Sequence, residues 1–185
     1  METGVSSFLK RWLDARCKQP TGLAPINFEG VGTYLNDYAS VAQRLLRDSD
    51  CLGVIGLLDW YGFPRNGTRV EEVRERLQAS VSHSRFRQHF AVHETEAWLL
   101  SDLRLFPEVV GRLLPKNDPE KINLRHPPSK ALESAYRQAL KNKSYDKIKG
   151  ARLFTELDPD LAASRCPHLK LLLDDLLELA SCPPA

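Results

Sequence analysis

Residues 90–100, which read FAVHETEAWLL, form the stretch around which the chain is organised. An apolar run ends at His93 and Glu94, and apolar residues then return with helical spacing. The pattern predicts a strand that leads directly into a helix. Open α/β sheets bind ligands beyond the carboxyl ends of their strands, which makes His93, Glu94 and Glu96 candidates for a functional site. The glutamates also suit a helix first turn without any function, because the helix dipole favours anions there.

A second apolar run ends in an acid in the same way. Residues 51–58 are nearly continuous apolar sequence, as in a central parallel strand covered on both faces, and Asp59 follows them. Thr68 and Glu71 match a capping box for the helix that separates this strand from the next one, over residues 87–92. Strand, helix and strand in this order form a βαβ unit with parallel strands. Asp59 and Glu94 are therefore expected at the same edge of one sheet.

Helices are predicted around this unit. One includes Phe8 to Leu13 with Ser6 or Ser7 as its N-cap, Ser129 is expected to cap another, and the last extends over residues 167–181. The length of 185 residues suits one domain. We expect residues 1–115 to form its sheet core, and residues 116–185 to form a basic loop and a helical extension.

Composition excludes several classes of protein. The chain is 42% hydrophobic and 27% charged, and no apolar run approaches the length of a membrane span. The first residues lack the pattern of a signal peptide, so we expect a cytoplasmic protein. The four cysteines form no C-x-x-C pair, which argues against a zinc ribbon or a disulfide framework. The sequence also lacks a P-loop, a G-x-G-x-x-G and a G-x-S-x-G motif.

Charge is distributed unevenly. Residues 116–152 carry ten basic and four acidic side chains, whereas residues 153–185 carry two and six. A basic segment beside acids suits a polyanion held next to a metal site, although charge runs also occur as solvated faces. Lys130 falls in a predicted helix first turn, where a cation is unfavourable, which marks either a function or an ordinary exposed lysine. Lys147 is a candidate for contact with a phosphate backbone.

The acids at the strand ends suggest a metal site. Asp59, Glu94 and Glu96 supply carboxylate oxygens, and Mg²⁺ needs only a few such ligands because it keeps several waters. Glu2 is a further candidate because it precedes the first helix. His93 has three interpretations: a hydrogen-bonded core residue, a ligand that widens the choice toward Mn²⁺, or a group that orients a carboxylate.

At these residues the sequence resembles a bacterial family whose fold is grouped with TOPRIM domains, the catalytic modules of topoisomerases, primases and OLD-type nucleases. The matching segments extend over most of the chain: Gly30–Tyr34, Asp59–Pro64, Arg85–Phe86, His93–Leu100, Pro128–Lys130, Tyr145 with Lys147 and Gly150, and Cys166–His168.

The resemblance implies a fold and a chemistry. The fold would be a TOPRIM-like three-layer α/β sandwich with a mostly parallel central sheet, followed by a helical extension. The chemistry would be Mg²⁺-dependent phosphodiester cleavage, often with a partner ATPase in phage-defence loci. Asp59 matches the first acid of the TOPRIM D-x-D motif, but Tyr61 stands at the second, where Glu94 or Glu96 would substitute. Glu2 lies near the place of the early TOPRIM glutamate, without the strand that normally precedes it.

We therefore expect a Mg²⁺- or Mn²⁺-dependent nuclease or nuclease subunit acting on DNA or RNA. Its metal ligands would come from Glu2, Asp59, His93, Glu94 and Glu96, and Lys130 or Lys147 would neutralise charge in the transition state. The alternative is a non-catalytic TOPRIM-like module that binds an ATPase or nucleic acid, in which the acids only cap helices. A third possibility is phosphohydrolase activity on a small nucleotide.

Overall fold

The structure is a computed structural model that describes residues 4–61, 63, 67–121, 127–141 and 144–181. Glu2, one of the predicted metal ligands, lies outside these residues. The described parts contain two strands, β1 (Val54–Asp59) and β2 (Phe86–Ala91), and two short 3₁₀ turns (Leu103–Leu105 and Pro119–Lys121). Their helices are α1 (Gly4–Asp14), α2 (Gly30–Leu45), α3 (Val70–Val81), α4 (Glu96–Leu99), α5 (Glu108–Gly111), α6 (Pro128–Ala139), α7 (Lys147–Glu156), α8 (Pro159–Arg165) and α9 (Pro167–Ser181).

The predicted βαβ unit is present. Strands β1 and β2 are parallel and pair in register from Val54 with Phe86 to Asp59 with Ala91, and α3 connects them. Strand β2 ends one residue earlier than predicted, and α4 is limited to one short turn. The chain is thus a mixed α/β protein in which a small parallel sheet is surrounded by helices.

Two apolar clusters cover the sheet. On β1, Ile55 and Leu57 pack against a cluster that includes residues of α1, α4, α6 and α9. Val54 and Leu58 pack against the other, built from α2, α3 and the phenylalanines of β2. Since successive side chains of a strand point to opposite faces, this alternation explains why β1 is apolar at nearly every position.

Polar contacts tie the helices to both faces of β2. The Tyr34 hydroxyl of α2 donates to Gln88 Oε1 at 2.5 Å. On the other face, His89 Nε2 lies 2.9 Å from Asp175 Oδ2 of α9. Burial lowers the pKa of His89 to about 4, although Asp175 favours the proton. The imidazole is therefore neutral near pH 7 and joins the sheet to the last helix.

The starts of α1 and α3 differ from the sequence predictions. Helix α1 begins at Gly4, so Ser6 and Ser7 lie inside the helix and neither is its N-cap. Helix α3 begins at Val70 after Arg69, and no side chain caps it, so the capping box is absent. Both predictions relied on local pattern alone, whereas tertiary packing fixes where a helix begins.

Helix α1 packs closely against α7 and thereby fixes the position of α7. An ideal Cβ on Gly4 would lie 2.3 Å from the Ala151 carbonyl oxygen, so only glycine allows the two helix backbones to approach this closely. Helix α7 in turn begins at Lys147, after Asp146 Oδ1 accepts a hydrogen bond from the Lys149 N–H. None of the helices in the described ranges is long and apolar enough to cross a membrane.

Glu120 caps α9 from a distance. Its carboxylate accepts hydrogen bonds from the backbone N–H groups of His168 at 2.9 Å and Leu169 at 3.2 Å. Burial raises the pKa of Glu120 from 4.5 to about 7, against the effect of these two hydrogen bonds, and the neighbouring Asp118 adds to the increase. The last helix is thus anchored by a carboxyl group that titrates near neutrality.

This cap predicts a pH-dependent stability. A carboxyl group whose pKa is higher in the folded than in the unfolded chain stabilises the fold below about pH 4.5, and this contribution is lost as the pH rises through about 7. Replacing Glu120 by Gln removes the titration. We therefore expect wild type to lose stability relative to Glu120→Gln as the pH rises, measured by urea unfolding at several pH values.

Comparing wild type with Glu120→Gln separates the effect of Glu120 on stability from that of His89 and His168, because both histidines are present in both proteins. Burial lowers the pKa values of His89 and His168, which makes their own contribution change in the opposite direction with pH. Glu156→Gln, at an exposed position of α7, is the control and should track wild type. A difference between wild type and Glu120→Gln that stays constant with pH would contradict the assignment.

Candidate functional site

Asp59, the last residue of β1, is held in place by the segment that follows β2. Its Oδ1 accepts a hydrogen bond from the Thr95 N–H at 2.9 Å. Burial of the carboxyl group raises its pKa to about 6, and the charges of Glu96 and Glu94 raise it further, while Thr95 and Lys147 lower it. The residue as a whole is nevertheless exposed, so Asp59 lies at the surface of the protein.

The turn after β2 has an unusual backbone. The Trp60 N–H donates to the Ala91 carbonyl at 2.9 Å and the Tyr61 N–H donates to the His93 carbonyl at 2.7 Å, so the two strand ends stay paired past the sheet. His93 has φ 71°, in the left-handed region that is uncommon for residues other than glycine. Strained backbone of this kind clusters at functional sites. The His93 side chain is buried, which is compatible with all three predicted roles: a core residue, a metal ligand or a group that orients a carboxylate.

Glu94 and Glu96 follow this turn and have different local roles. Glu94 Oε2 accepts a hydrogen bond from the Ser129 N–H at 2.9 Å, so Glu94 caps α6. The prediction that Ser129 is the N-cap is wrong, because Ser129 is the second residue of the helix and the cap comes from across the fold. Glu96 begins α4, and burial together with the charge of Glu94 raises its pKa.

The two predicted lysines interact with different acids. Lys147, the first residue of α7, is exposed and lies close enough to Asp59 and Glu96 for its charge to lower the pKa values of both carboxyl groups. Lys130 instead forms an ion pair with Glu133 on its own helix, with Nζ–Oε2 and Nζ–Oε1 distances of 2.9 and 3.2 Å. Lys147 is therefore associated electrostatically with the strand-end acids Asp59 and Glu96.

Tyr145 is a site residue to which the sequence analysis gave no role. It is buried, and the charges of Glu96 and Glu94 add to the effect of burial in raising its pKa. The tyrosine lies within the segments that resemble the TOPRIM-like family, beside Lys147 and Gly150, but a single tyrosine in a polar loop carries no signal of burial. Its position depends on the packing of α7, which sequence spacing does not reveal.

The carboxylates of the candidate site are ligands of the type that a hard cation such as Mg²⁺ prefers. Asp59, Glu94 and Glu96 provide oxygen donors. Burial and, to a smaller extent, the charges of Glu96 and Glu94 raise the pKa of Asp59, and a divalent cation would favour its ionised form. Within the described residues, no three His, Cys, Asp or Glu side chains stand together as a ready set of ligands. Two carboxylates and several waters satisfy Mg²⁺, so the donor set fits such an ion without a preformed cage.

Comparison with models of known protein families identifies the family of this chain. The family model of a domain of unknown function, DUF4276, matches residues 1–177. The chain belongs to the DUF4276 family. No curated protein and no solved structure matches it. The DUF4276 match includes Asp59, the turn at His93, both glutamates and Lys147, so the whole candidate site lies within the family's domain.

The double role of Glu94 in this DUF4276 domain is testable with two substitutions. Glu94→Ala removes both the cap and the charge, and we expect it to destabilise the fold by about 0.5–2 kcal/mol, as for other N-cap losses. Glu94→Gln keeps an acceptor oxygen for the Ser129 N–H and should retain most of that stability. Urea unfolding measures this difference.

Glu94→Ala and Glu94→Gln should both lower the pKa of Asp59 from about 6, because each removes a neighbouring negative charge. NMR titration of the Asp59 carboxyl carbon measures this shift, and Glu133→Gln, a substitution on α6, is the control. An Asp59 titration that is the same in wild type and Glu94→Gln would show that the two carboxylates do not interact.

Proposed function

We propose that this DUF4276 domain is a metal-dependent nuclease or nuclease subunit that cleaves phosphodiester bonds. The observation that carries the proposal is the electrostatic coupling of Asp59 with Glu94 and Glu96, from two adjacent strand ends, with Lys147 beside them. Perturbed carboxyl groups that gather at a strand edge are typical of catalytic sites. The proposed fold is the TOPRIM-like three-layer sandwich, of which the two parallel strands would be part.

The proposal assigns roles to particular residues. Asp59, Glu94 and Glu96 would hold Mg²⁺ or Mn²⁺, which when bound lowers the pKa of water and stabilises a leaving oxygen. Lys147 would neutralise charge on the reacting phosphate from the α7 side. The Thr95 N–H holds Asp59 in place, and the Ser129 N–H does the same for Glu94. The ion pair of Lys130 with Glu133 argues against a direct role for that lysine.

The same proposal implies a substrate, a partner and a cellular role. The substrate would be DNA or RNA, the partner an ATPase, and the activity a cytoplasmic defence against phage. The excess of basic side chains in residues 116–152 supports a polyanionic substrate, because this segment supplies Lys147 to the site.

Substitution of single carboxylates tests the catalytic proposal. In Mn²⁺, wild type should cleave supercoiled plasmid or labelled single-stranded DNA or RNA. Asp59→Asn and Glu96→Gln should each reduce the rate by about 100-fold or more, as expected when a metal ligand is lost. Lys147→Ala should reduce it by roughly tenfold or more, because one charge interaction in the transition state is removed.

Lys130→Ala is the matched control for Lys147→Ala, since both remove a lysine from a helix first turn, and it should cleave like wild type. Circular dichroism would confirm that all variants fold. Cleavage that survives both Asp59→Asn and Glu96→Gln would overturn the proposal.

A non-catalytic binding module is the second candidate. It is favoured by the hydrogen bonds that already occupy one oxygen each of Asp59 and Glu94, since both carboxylates then serve as caps. Calorimetry with Mn²⁺ separates the two. Binding that is lost in Asp59→Asn supports the metal site, whereas a domain that binds nucleic acid or an ATPase without binding Mn²⁺ supports the second candidate.

A further inference from the structure

Tyr61 is the one aromatic residue in the described ranges that is exposed at the protein surface. It is 37% exposed, whereas every other tryptophan, tyrosine and phenylalanine in these ranges is buried or half-buried. Aromatic side chains normally contribute to stability by burying their large rings, so an exposed ring adds little to the fold. A single exposed apolar side chain is common and needs no explanation by itself. The significance of Tyr61 therefore depends on where it lies.

Two backbone hydrogen bonds fix Tyr61 beside the candidate site. The Tyr61 N–H donates to the His93 carbonyl at 2.7 Å, and the Thr95 N–H donates to Asp59 Oδ1 at 2.9 Å. Tyr61 and Asp59 are thus held by the same short turn after β2. Since only Trp60 separates them, their Cα atoms are at most about 7 Å apart. The one exposed aromatic ring of the described ranges therefore starts within a few ångströms of the strand-end carboxylates.

The core holds the neighbour of Tyr61 and leaves Tyr61 itself outside. Trp60 is 7% exposed, and its ring stacks on Phe63 with a centroid distance of 5.5 Å and meets Phe90 edge-on at 5.2 Å. These three rings belong to the apolar cluster that includes residues of α2 and α3. Trp60 thus anchors the segment. A tyrosine has only two side-chain torsions, so a ring on such a fixed backbone loses little entropy when a ligand covers it.

An exposed ring next to a phosphodiester suits an unpaired base. The proposed function places a phosphodiester at the strand-end acids, and the base of the same nucleotide then lies within reach of Tyr61. Proteins that bind single strands hold successive bases by stacking them on aromatic side chains, because every base has a π face. In a duplex these faces are already covered by the neighbouring base pairs. The ring therefore favours a single strand.

The surrounding charge fits the same ligand. Residues 116–152 carry ten basic and four acidic side chains, and this segment includes the start of α7 at the exposed Lys147. Helix α7 packs against α4, which follows the turn that holds Tyr61. A basic surface that follows the backbone, combined with an aromatic ring for a base, is the usual arrangement in proteins that bind single-stranded nucleic acid.

We propose that Tyr61 stacks on an unpaired base next to the phosphodiester that is cleaved, and that the substrate of this domain is single-stranded nucleic acid. The inference rests on the proposed function and narrows its substrate from DNA or RNA in general to single strands. Tyr61 is then a specificity-determining residue with no part in metal binding. Because stacking tolerates all bases, it selects for a single strand rather than for a sequence.

Tyr61→Leu tests this inference because it removes the ring and keeps an apolar side chain. Binding of a short fluorescent oligothymidylate is measured by anisotropy, with Ca²⁺ in place of Mn²⁺ to limit cleavage. We expect the affinity to fall by roughly five- to a hundredfold, the effect of one stacked base. Tyr61→Phe keeps the ring and should bind like wild type. Val109→Ala, which shortens an exposed apolar side chain on α5, is a further control and should also bind like wild type.

Two other probes show what the ring contacts. An abasic oligonucleotide of the same length keeps the phosphates and lacks the bases, so wild type and Tyr61→Leu should bind it equally. A duplex of the same length should bind wild type more weakly than the single strand at the same salt concentration, and Tyr61→Leu should lose most of this preference. The melting temperature and the Mn²⁺ affinity, by calorimetry, should stay close to those of wild type, because Tyr61 is exposed and supplies no metal ligand.

Several results would overturn the inference. Equal affinities of wild type and Tyr61→Leu for the oligothymidylate would show that the ring contacts no base. Equal losses for the natural and the abasic probes would show that the contact is not stacking. Loss of a co-purified ATPase with unchanged oligonucleotide binding would assign Tyr61 to a protein interface instead.

The failure of this inference is distinguishable from failure of the proposed function. If wild type cleaves nucleic acid in Mn²⁺ and Tyr61→Leu binds and cleaves single strands equally well, the inference alone fails. If wild type neither binds Mn²⁺ nor cleaves any nucleic acid, the proposed function fails and the inference fails with it.

Discussion

Parallel pairing of β1 and β2 forces the ends of both strands to the same edge of the sheet, and each strand end is followed by acids. Asp59 is paired with Ala91, and the chain beyond Ala91 turns back so that Thr95 hydrogen-bonds the Asp59 carboxylate. Glu94 and Glu96 flank that residue. Burial raises the pKa of Asp59, and the negative charges of Glu96 and Glu94 add to that effect.

The helices that follow supply the groups that offset this charge. The first turn of α6 donates the Ser129 N–H to Glu94, and α7 begins with Lys147. Both helices begin within the basic segment of residues 116–152, which therefore contributes a backbone N–H and a lysine to the surroundings of the acids. The anchors elsewhere, His89 with Asp175 and the capping of α9 by Glu120, hold the last helix against the sheet.

Sequence reasoning predicted the parts of this arrangement that depend on periodicity. The apolar run of β1, the amphipathic α3 and the acids after both strands are local patterns, so the βαβ unit and the shared edge followed from them. The caps were harder to predict, because a capping residue need not be near in sequence. Glu94 caps α6 from 35 residues away. The burial of Tyr145 and the interaction of Lys147 with the acids depend on how α7 packs, which no local pattern encodes.

The proposal that Asp59, Glu94 and Glu96 bind one divalent cation is tested most directly by paramagnetic broadening by Mn²⁺ in NMR spectra. Substoichiometric Mn²⁺ should broaden the amide signals of Tyr61, Thr95 and Glu96 selectively and leave those in the middle of α9 sharp, because paramagnetic broadening falls steeply with distance. In Asp59→Asn the selective broadening should disappear. Broadening that is absent from the strand ends, or unchanged in Asp59→Asn, would contradict the account.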